Sequence, residues 1–432
     1  MVAVGYGPAN LALAIALDEL PQPPRAVYLE ASTQPRWQSN MLLPGSDIQH
    51  NPIRDLVSLR NPRSRYSFIN FLFEHDRLIE HLNLPVAFPF RSEYTEYIDW
   101  VRNTVPADVR YGARVSAVRR SEELPGGYRV ELADGQHLTA RAISLGPGRT
   151  PLIPDEFAGL DGPRIFHLTR YLAAIEALDL GRDAQVAVIG ASQSAVELTL
   201  DLTNRLPAGR VHLVARSWSL RAKDHSPFSE EIYFPAFTDR YFTASEGDRG
   251  LLDSFTRPTN YSAADLDVLE RLYLQMYEDR VLGRRRVELL GESHVVRVEP
   301  RDNQVELTLV GPGDGSPRVV LADAVVLATG FRDMGRGSRH EPHHPLLTEV
   351  ADDFAWTDSG YLQVERDYRL QPRPGLDLGP VYLNGLCEST HGIGDAGSFS
   401  LLSVRAQTIA SSLLTELRRL ENQQPLLPSL IN

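Results

Sequence analysis

The chain has 432 residues, 42% hydrophobic and 23% charged, which suffices for two or three compact units and excludes a disordered chain or a small binding module. Its 56 acidic and 44 basic residues give a net charge of −12, so no counterion-releasing surface and no nucleic-acid partner are expected. A single cysteine, Cys387, excludes an internal disulfide, a paired-cysteine redox centre and a thiolate metal cluster within the chain.

In chain order, Val2-Ala3-Val4 reads as a strand that stops at Gly5-Tyr6-Gly7-Pro8-Ala9-Asn10 and passes into an alanine- and leucine-rich helix. Strand, glycine turn and helix N-terminus together make a pyrophosphate site. The first glycine turns the chain, the second lets backbone amides approach, and the helix end supplies positive potential. Gly5, Gly7, Pro8 and Asn10, which replaces a third glycine, are candidate dinucleotide contacts. The next strand, Ala26-Val27-Tyr28-Leu29, ends in Glu30, placed to accept a ribose hydroxyl. No basic leader followed by an apolar stretch precedes this unit and no run reaches ~18 apolar residues, so a soluble, cytoplasmic chain off the membrane is expected.

Ala142-Ile143-Ser144-Leu145-Gly146 is a further apolar strand ending in glycine, followed by a Pro- and Gly-rich linker over residues 147–163. The strand-turn-helix grammar then recurs: Gln185-Val186-Ala187-Val188-Ile189 runs into Gly190-Ala191-Ser192-Gln193-Ser194, making Gly190, Ser192, Gln193 and Ser194 candidate contacts. Its second strand ends not in an acid but in Arg216-Ser217, with Arg221 close behind; cations and a hydroxyl there suit the 2′-phosphate of NADPH. Basic charge is almost all arginine, and Lys223 is the only lysine, so any lysine-based chemistry rests on it. Residues 266–281 place Leu266, Leu269, Leu272, Tyr273 and Met276 at helical spacing, predicting a buried helix face. The glycine- and proline-rich residues 311–317 predict a hairpin loop. Ala322-Asp323-Ala324-Val325-Val326-Leu327-Ala328-Thr329-Gly330-Phe331 predicts an apolar strand stopping at a glycine and returning the chain to its first unit, with Thr329 and Gly330 near a cofactor. His340, His343 and His344 lie in a Gly/Pro/Arg-rich stretch without metal-ligand spacing, so a surface loop and no metal are expected.

Two dinucleotide folds in one chain predict one permanent flavin and one transient nicotinamide. The expected fold is α/β, with two Rossmann-like domains and a small, mainly helical substrate-binding region. Residues 1–165 and 320–432 would form a discontinuous FAD-binding domain around an NADPH-binding domain at 180–320, with 220–285 contributing to the substrate region.

Several strings in order carry a resemblance. They are Gly5 to Leu11, Met41-Leu42-Leu43 with Ile48-Gln49, Arg54-Asp55-Leu56 with Arg60-Asn61-Pro62, and Gly190 to Glu197. Asp224 to Pro235, Thr259-Asn260-Tyr261-Ser262, and His391-Gly392 with Asp395 and Arg405 complete the set. Over nearly its whole length the chain resembles the flavin-dependent N-hydroxylating monooxygenases acting on the side-chain amine of L-ornithine or L-lysine in siderophore and related natural-product biosynthesis. The resemblance implies that NADPH reduces FAD, that O2 adds to give a C4a-hydroperoxyflavin, and that a neutral amine attacks its distal oxygen. The cofactor carries the difficult chemistry, so no nucleophile or acid–base triad is expected.

By the same resemblance Gln49 lies near flavin and nicotinamide as a catalytic residue, Met41 lines the cofactors, and Asn260 contacts the amine. Asp395 and Ser403 belong to the segment that closes over the flavin, and a homodimer or homotetramer is implied. Two positions depart from the family. Arg54 stands where a lysine holds the substrate carboxylate, and Glu230 stands where an asparagine does the same. A carboxylate cannot bind a carboxylate without a proton or a cation between them. Three arrangements follow: Glu230 pairs with Arg54, or it holds an α-ammonium while Arg54 takes the α-carboxylate, or it grips the far ammonium of putrescine or cadaverine. The stretch from Asp395 to Arg405 is also about one residue longer than the family pattern. Competing expectations are a class B monooxygenase acting on sulfur or a carbonyl, and a flavoprotein that only oxidises NADPH.

Overall fold

Short β-branched runs buried on both faces form parallel strands, and here they make two sheets rather than one. The computed structural model describes residues 1–311 and 316–423. The chain opens with β1 (Val2–Val4), helix α1 (Pro8–Asp18), β2 (Val27–Leu29) and β3 (Asp108–Arg110). After an antiparallel three-stranded excursion comes β4 (Ile143–Leu145). Then follow β5 (Ile165–His167), β6 (Gln185–Ile189), α2 (Gln193–Arg205) and β7 (Arg210–Val214). Short helices lead to α3 (Leu266–Val281) and β8 (Val287–Leu290); a second antiparallel sheet leads to β9 (Ala324–Leu327). The chain ends with β10 (Val381–Leu383) and α4 (Leu402–Gln423).

The first sheet has the order β10-β4-β1-β2-β3 and the second β8-β7-β6-β9-β5, with every strand pair within them parallel. Helix α1 is apolar almost all round and buried along Asn10 to Leu17, because α4 packs on it against the first sheet. The molecule is therefore α/β with two Rossmann-like units, and between β7 and β8 the chain is mainly helical.

Two expectations are corrected. The strand Ala324–Leu327 does not rejoin the first sheet: it pairs with β6 and β5 inside the second, and the strand that rejoins the first is β10. The apolar strand alone looks the same in either sheet; only its partners distinguish them. In α3, Val268 and Leu272 are buried and Leu269 and Met276 pack behind them, but Leu266 and Tyr273 face solvent, so the buried stripe is narrower than spacing predicts. Of the expected hairpin loop, residues 312–315 lie outside the described residues; its flanking strands pair antiparallel.

Candidate active site

Both glycine turns are built alike. Gly5 has φ +82°, and a Cβ there would lie 2.5 Å from the carbonyl oxygen of Gly146, just beyond β4. Gly190 has φ +152°, and its Cβ would lie 2.4 Å from the carbonyl oxygen of Ala328, just beyond β9. Each turn thus leans on the end of the neighbouring parallel strand, where only glycine fits. Gly7 faces open space, Pro8 takes the first helical position of α1, and neither Gly7 nor Ser192 caps its helix through a side chain. Amides at the start of α1 are thereby left for an anionic ligand, whereas at the start of α2 the Gln193 N–H already donates to Ala263 O at 3.0 Å.

At the end of β2, Glu30 accepts from the amides of Tyr6 (3.0 Å) and Ser32 (2.8 Å), which fixes its carboxylate beside the first turn with lone pairs to spare for a diol. In the second unit Arg216 and Arg221 are exposed, with no ion pair among the described residues. Burial, then the charges of Arg216 and Arg257, lower the affinity of the Arg339 guanidinium for its proton, which places the three cations near one another. The Ser217 hydroxyl is spent on the carbonyl of Ser219 at 2.9 Å. An acid at one strand end and arginines at the other fit a dinucleotide with a free ribose and one with a ribose phosphate. Thr329 and Gly330 instead stitch the crossing between units: the Thr329 hydroxyl donates to Leu152 O at 2.5 Å, and Gly330 O accepts from Leu152 N at 3.0 Å.

Several expected contacts turn inward. Asn10 is fully buried; its amide donates to Val4 O (3.0 Å) and Gly5 O (2.8 Å) and accepts from Ser144 (2.7 Å) and Asn384 (3.0 Å), so its side chain braces the turn. Met41 packs into the core of the second unit. Gln193 donates to Glu197 at 2.9 Å and accepts from Asp265 N at 2.7 Å, so both ends of its amide are engaged within the chain. Asp395 is buried against Arg405 at 2.6 Å and accepts from Cys387 N at 2.7 Å, while Ser403 buries its hydroxyl in the first turn of α4. His391 is likewise structural, stacked on Tyr368 and bonded to Thr390 at 2.8 Å. Polar residues in a motif are equally suited to holding a loop as to holding a ligand, and one-dimensional spacing does not separate the two.

The substrate-region residues do converge. Arg54 donates to Glu230 at 2.8 Å and to Ser400 at 3.2 Å, and its guanidinium lies 4.9 Å from the centre of the Phe234 ring. Of the three arrangements for Glu230, its pairing with Arg54 is the one present. Ser400 belongs to the lengthened stretch after Asp395, whose Phe399 stacks on His50 and meets Trp37 and Tyr94 edge-on. Gly397 of the same stretch brings its α-carbon beside the Asn260 amide: a Cβ would sit 3.1 Å from Nδ2.

Sequence reasoning missed the groups behind this pocket. His225 lies 3.3 Å from Glu230 through Nδ1 and 2.6 Å from Asp265 through Nε2. Both partners only accept, so both ring nitrogens carry protons. The hydrogen bonds it donates to Asp265 and then to Glu230 push its pKa up to about 9. In turn the His225 bond, with Arg54, holds Glu230 below the usual glutamate value against its burial. Lys223, its side chain 3% exposed, pairs with Asp265 at 3.3 Å and donates to Gln49 Oε1. Gln49 has φ +60°, and its Nε2 lies 3.5 Å from Glu197. Positive and negative groups alternate from Arg54 to Lys223, ending at the Gln49 amide. The uniqueness of Lys223 was the one available signal.

A second buried set flanks Asn260. Tyr261 donates to Glu388 at 2.6 Å and accepts from Arg149 at 2.9 Å, and Arg149 pairs with Asp333 at 3.3 Å. Burial, reinforced by Asp333, holds the Glu388 carboxyl well above its ordinary value.

Residues 1–333 match the family model described as L-lysine 6-monooxygenase/L-ornithine 5-monooxygenase. An L-ornithine N(5)-monooxygenase of Pseudomonas aeruginosa is 36% identical, over 97% of this chain and 94% of its own length. The structure of a Kutzneria sp. 744 ornithine N-hydroxylase with reduced FAD, NADP+ and L-ornithine superposes with a TM-score of 0.88 at 32% identity, covering 96% of this chain and 98% of that one. An L-lysine 6-monooxygenase from Pseudomonas syringae gives a TM-score of 0.84 at 32% identity over 96% and 99%. Sequence over most of its length and architecture over nearly all of it agree: the chain belongs to the L-lysine 6-monooxygenase/L-ornithine 5-monooxygenase family, the flavin-dependent N-hydroxylating monooxygenases.

Proposed function

We propose that the protein uses FAD, NADPH and O2 to N-hydroxylate the side-chain amine of L-ornithine or L-lysine. The observations that support this reading are the contacts of Arg54 with Ser400, of Gly397 with Asn260 and of Lys223 with Gln49, each joining distant parts of the chain. FAD, reduced by NADPH and meeting O2, supplies the electrophilic oxygen. The protein supplies the rest.

Glu30 and the uncapped start of α1 fit the FAD ribose and pyrophosphate; Arg216, with Arg339, fits the 2′-phosphate of NADPH. Arg54 offers a carboxylate two parallel donors. Asn260 would orient the amine, and Gln49, its oxygen occupied by Lys223 and its Nε2 3.5 Å from Glu197, keeps an N–H that it could offer to a bound cofactor. The side-chain amine must be neutral when it attacks, because an ammonium has no lone pair to offer.

Self-association fits the exposed apolar face of α3, where Tyr273, Leu274, Tyr277 and Val281 face solvent. No helix among the described residues is long and apolar enough to cross a membrane. Dependence on NADPH suits a cytoplasmic reaction.

The test is to reconstitute the protein with FAD and follow NADPH oxidation and hydroxylamine yield together, offering L-ornithine, L-lysine, putrescine and cadaverine separately. Hydroxylamine from an amino acid supports the reading. Product from the diamines alone replaces it with diamine hydroxylation, and NADPH oxidation without hydroxylamine from any of the four removes it.

A further inference from the structure

Resting on that reading, we propose that His225 is a positioning and specificity residue: it holds Glu230 in place while a zwitterionic amino acid inserts between Arg54 and Glu230. In the closed pair Arg54 and Glu230 satisfy each other at 2.8 Å, with side chains 18% and 24% exposed. An α-amino acid brings one carboxylate and one ammonium. Inserted with the carboxylate on Arg54 and the ammonium on Glu230, it exchanges one ion pair for two and leaves no charge unmatched.

Such an exchange requires that each partner be held by something besides the other. Arg54 keeps Ser400 and the Phe234 ring. Glu230 uses Oε2 for Arg54 but Oε1 for His225, so releasing the guanidinium leaves the second contact intact. His225 is itself anchored on its other nitrogen by Asp265, which Lys223 holds from behind. Glu230 is thereby braced by a partner other than Arg54, the His225 side chain, itself 37% exposed, and the pocket selects for both charges at once. An amine lacking the carboxylate strands Arg54, and one lacking the α-ammonium strands Glu230.

The FAD-loaded enzyme tests this with L-ornithine, putrescine and 5-aminopentanoate, which differ only in those two groups. Wild type is expected to favour L-ornithine over each by about tenfold or more in kcat/KM, the scale of one half-buried charge contact. His225→Gln is expected to raise KM for L-ornithine about tenfold with kcat nearly unchanged, and His225→Lys, which keeps a cation, to restore most of it. Glu230→Gln is expected to erase the preference over 5-aminopentanoate while keeping that over putrescine. Wild type using 5-aminopentanoate as well as L-ornithine, or His225→Gln leaving KM untouched, overturns the inference. Calorimetric binding of the same three amines needs no turnover and separates the two claims. A zwitterion preference in binding with no hydroxylamine removes the proposed activity and keeps the role of His225, whereas hydroxylamine without any preference does the reverse.

Discussion

Lys223 and Gln49, 174 residues apart, are joined by a hydrogen bond from the only lysine of the chain to the amide oxygen of a glutamine in left-handed backbone. An ammonium can only donate, so Lys223 fixes which end of the Gln49 amide points away from it. Lys223→Met is expected to leave flavin bound but to let that amide rotate, so that NADPH oxidation continues while hydroxylamine yield per NADPH falls, by about tenfold. Parallel assays of NADPH loss and hydroxylamine check it; an unchanged ratio means that Gln49 is oriented by something else.

The two glycine turns separate the two cofactors. Gly5→Ala drives a methyl to within 2.5 Å of Gly146 O and should abolish retention of FAD through gel filtration. Gly190→Ala does the same against Ala328 O, and should raise KM for NADPH while flavin content stays at the wild-type level. Strain of about 1–3 kcal/mol corresponds to roughly five- to 150-fold in affinity.

If Arg216 and Arg339 hold the 2′-phosphate as proposed, Arg216→Ala and Arg339→Ala should each weaken NADPH by about tenfold and leave NADH, which lacks that phosphate, unchanged. Equal use of NADH and NADPH by wild type would contradict the assignment.

Asp395 and Arg405 form an ion pair with side chains 0% and 2% exposed. Removing one partner strands a buried charge, so Asp395→Asn should cost about 3–5 kcal/mol in denaturant unfolding and act on stability before it acts on substrate binding.

The role proposed for His225 predicts that amino-acid binding depends on pH. Asp265, then Glu230, raise its pKa to about 9, with Lys223 opposing; Asp224 also adjoins it. Its folded value lies above the unfolded one of about 6.5, so the stabilising charge is fully present below about 6.5 and is lost as pH rises through about 9. KM for L-ornithine should therefore climb through about pH 9, and His225→Lys should move that rise to higher pH. A KM profile indifferent to both would show that the imidazolium plays no part.

Local rules made much of this protein legible without a structure. Val2 to Asn10 and Gln185 to Ala195 announce strand, turn and helix because a glycine with an unfavourable φ, a β-branched run and a helix start are all properties of adjacent residues. Glu30 and Arg216 follow from them, since a strand end lies a set distance from its own turn. Arg54 and Glu230 were legible as departures from a motif, and their opposite charges already allowed the pair.

Tertiary structure alone decided the rest. Asn10, Gln193 and Asp395 sit at motif positions yet spend their hydrogen bonds on Asn384, Asp265 and Arg405, residues far along the chain that no spacing rule connects to them. Ala324–Leu327 is apolar enough for either sheet, and its hydrogen-bonded neighbours placed it in the second. The line from Glu230 through His225, Asp265 and Lys223 to Gln49 joins charges whose positions in sequence follow no period. Composition and periodicity determine which segments become buried strands and helices; which polar side chains are left facing the cleft depends on where those segments meet, and that is a property of the packed molecule.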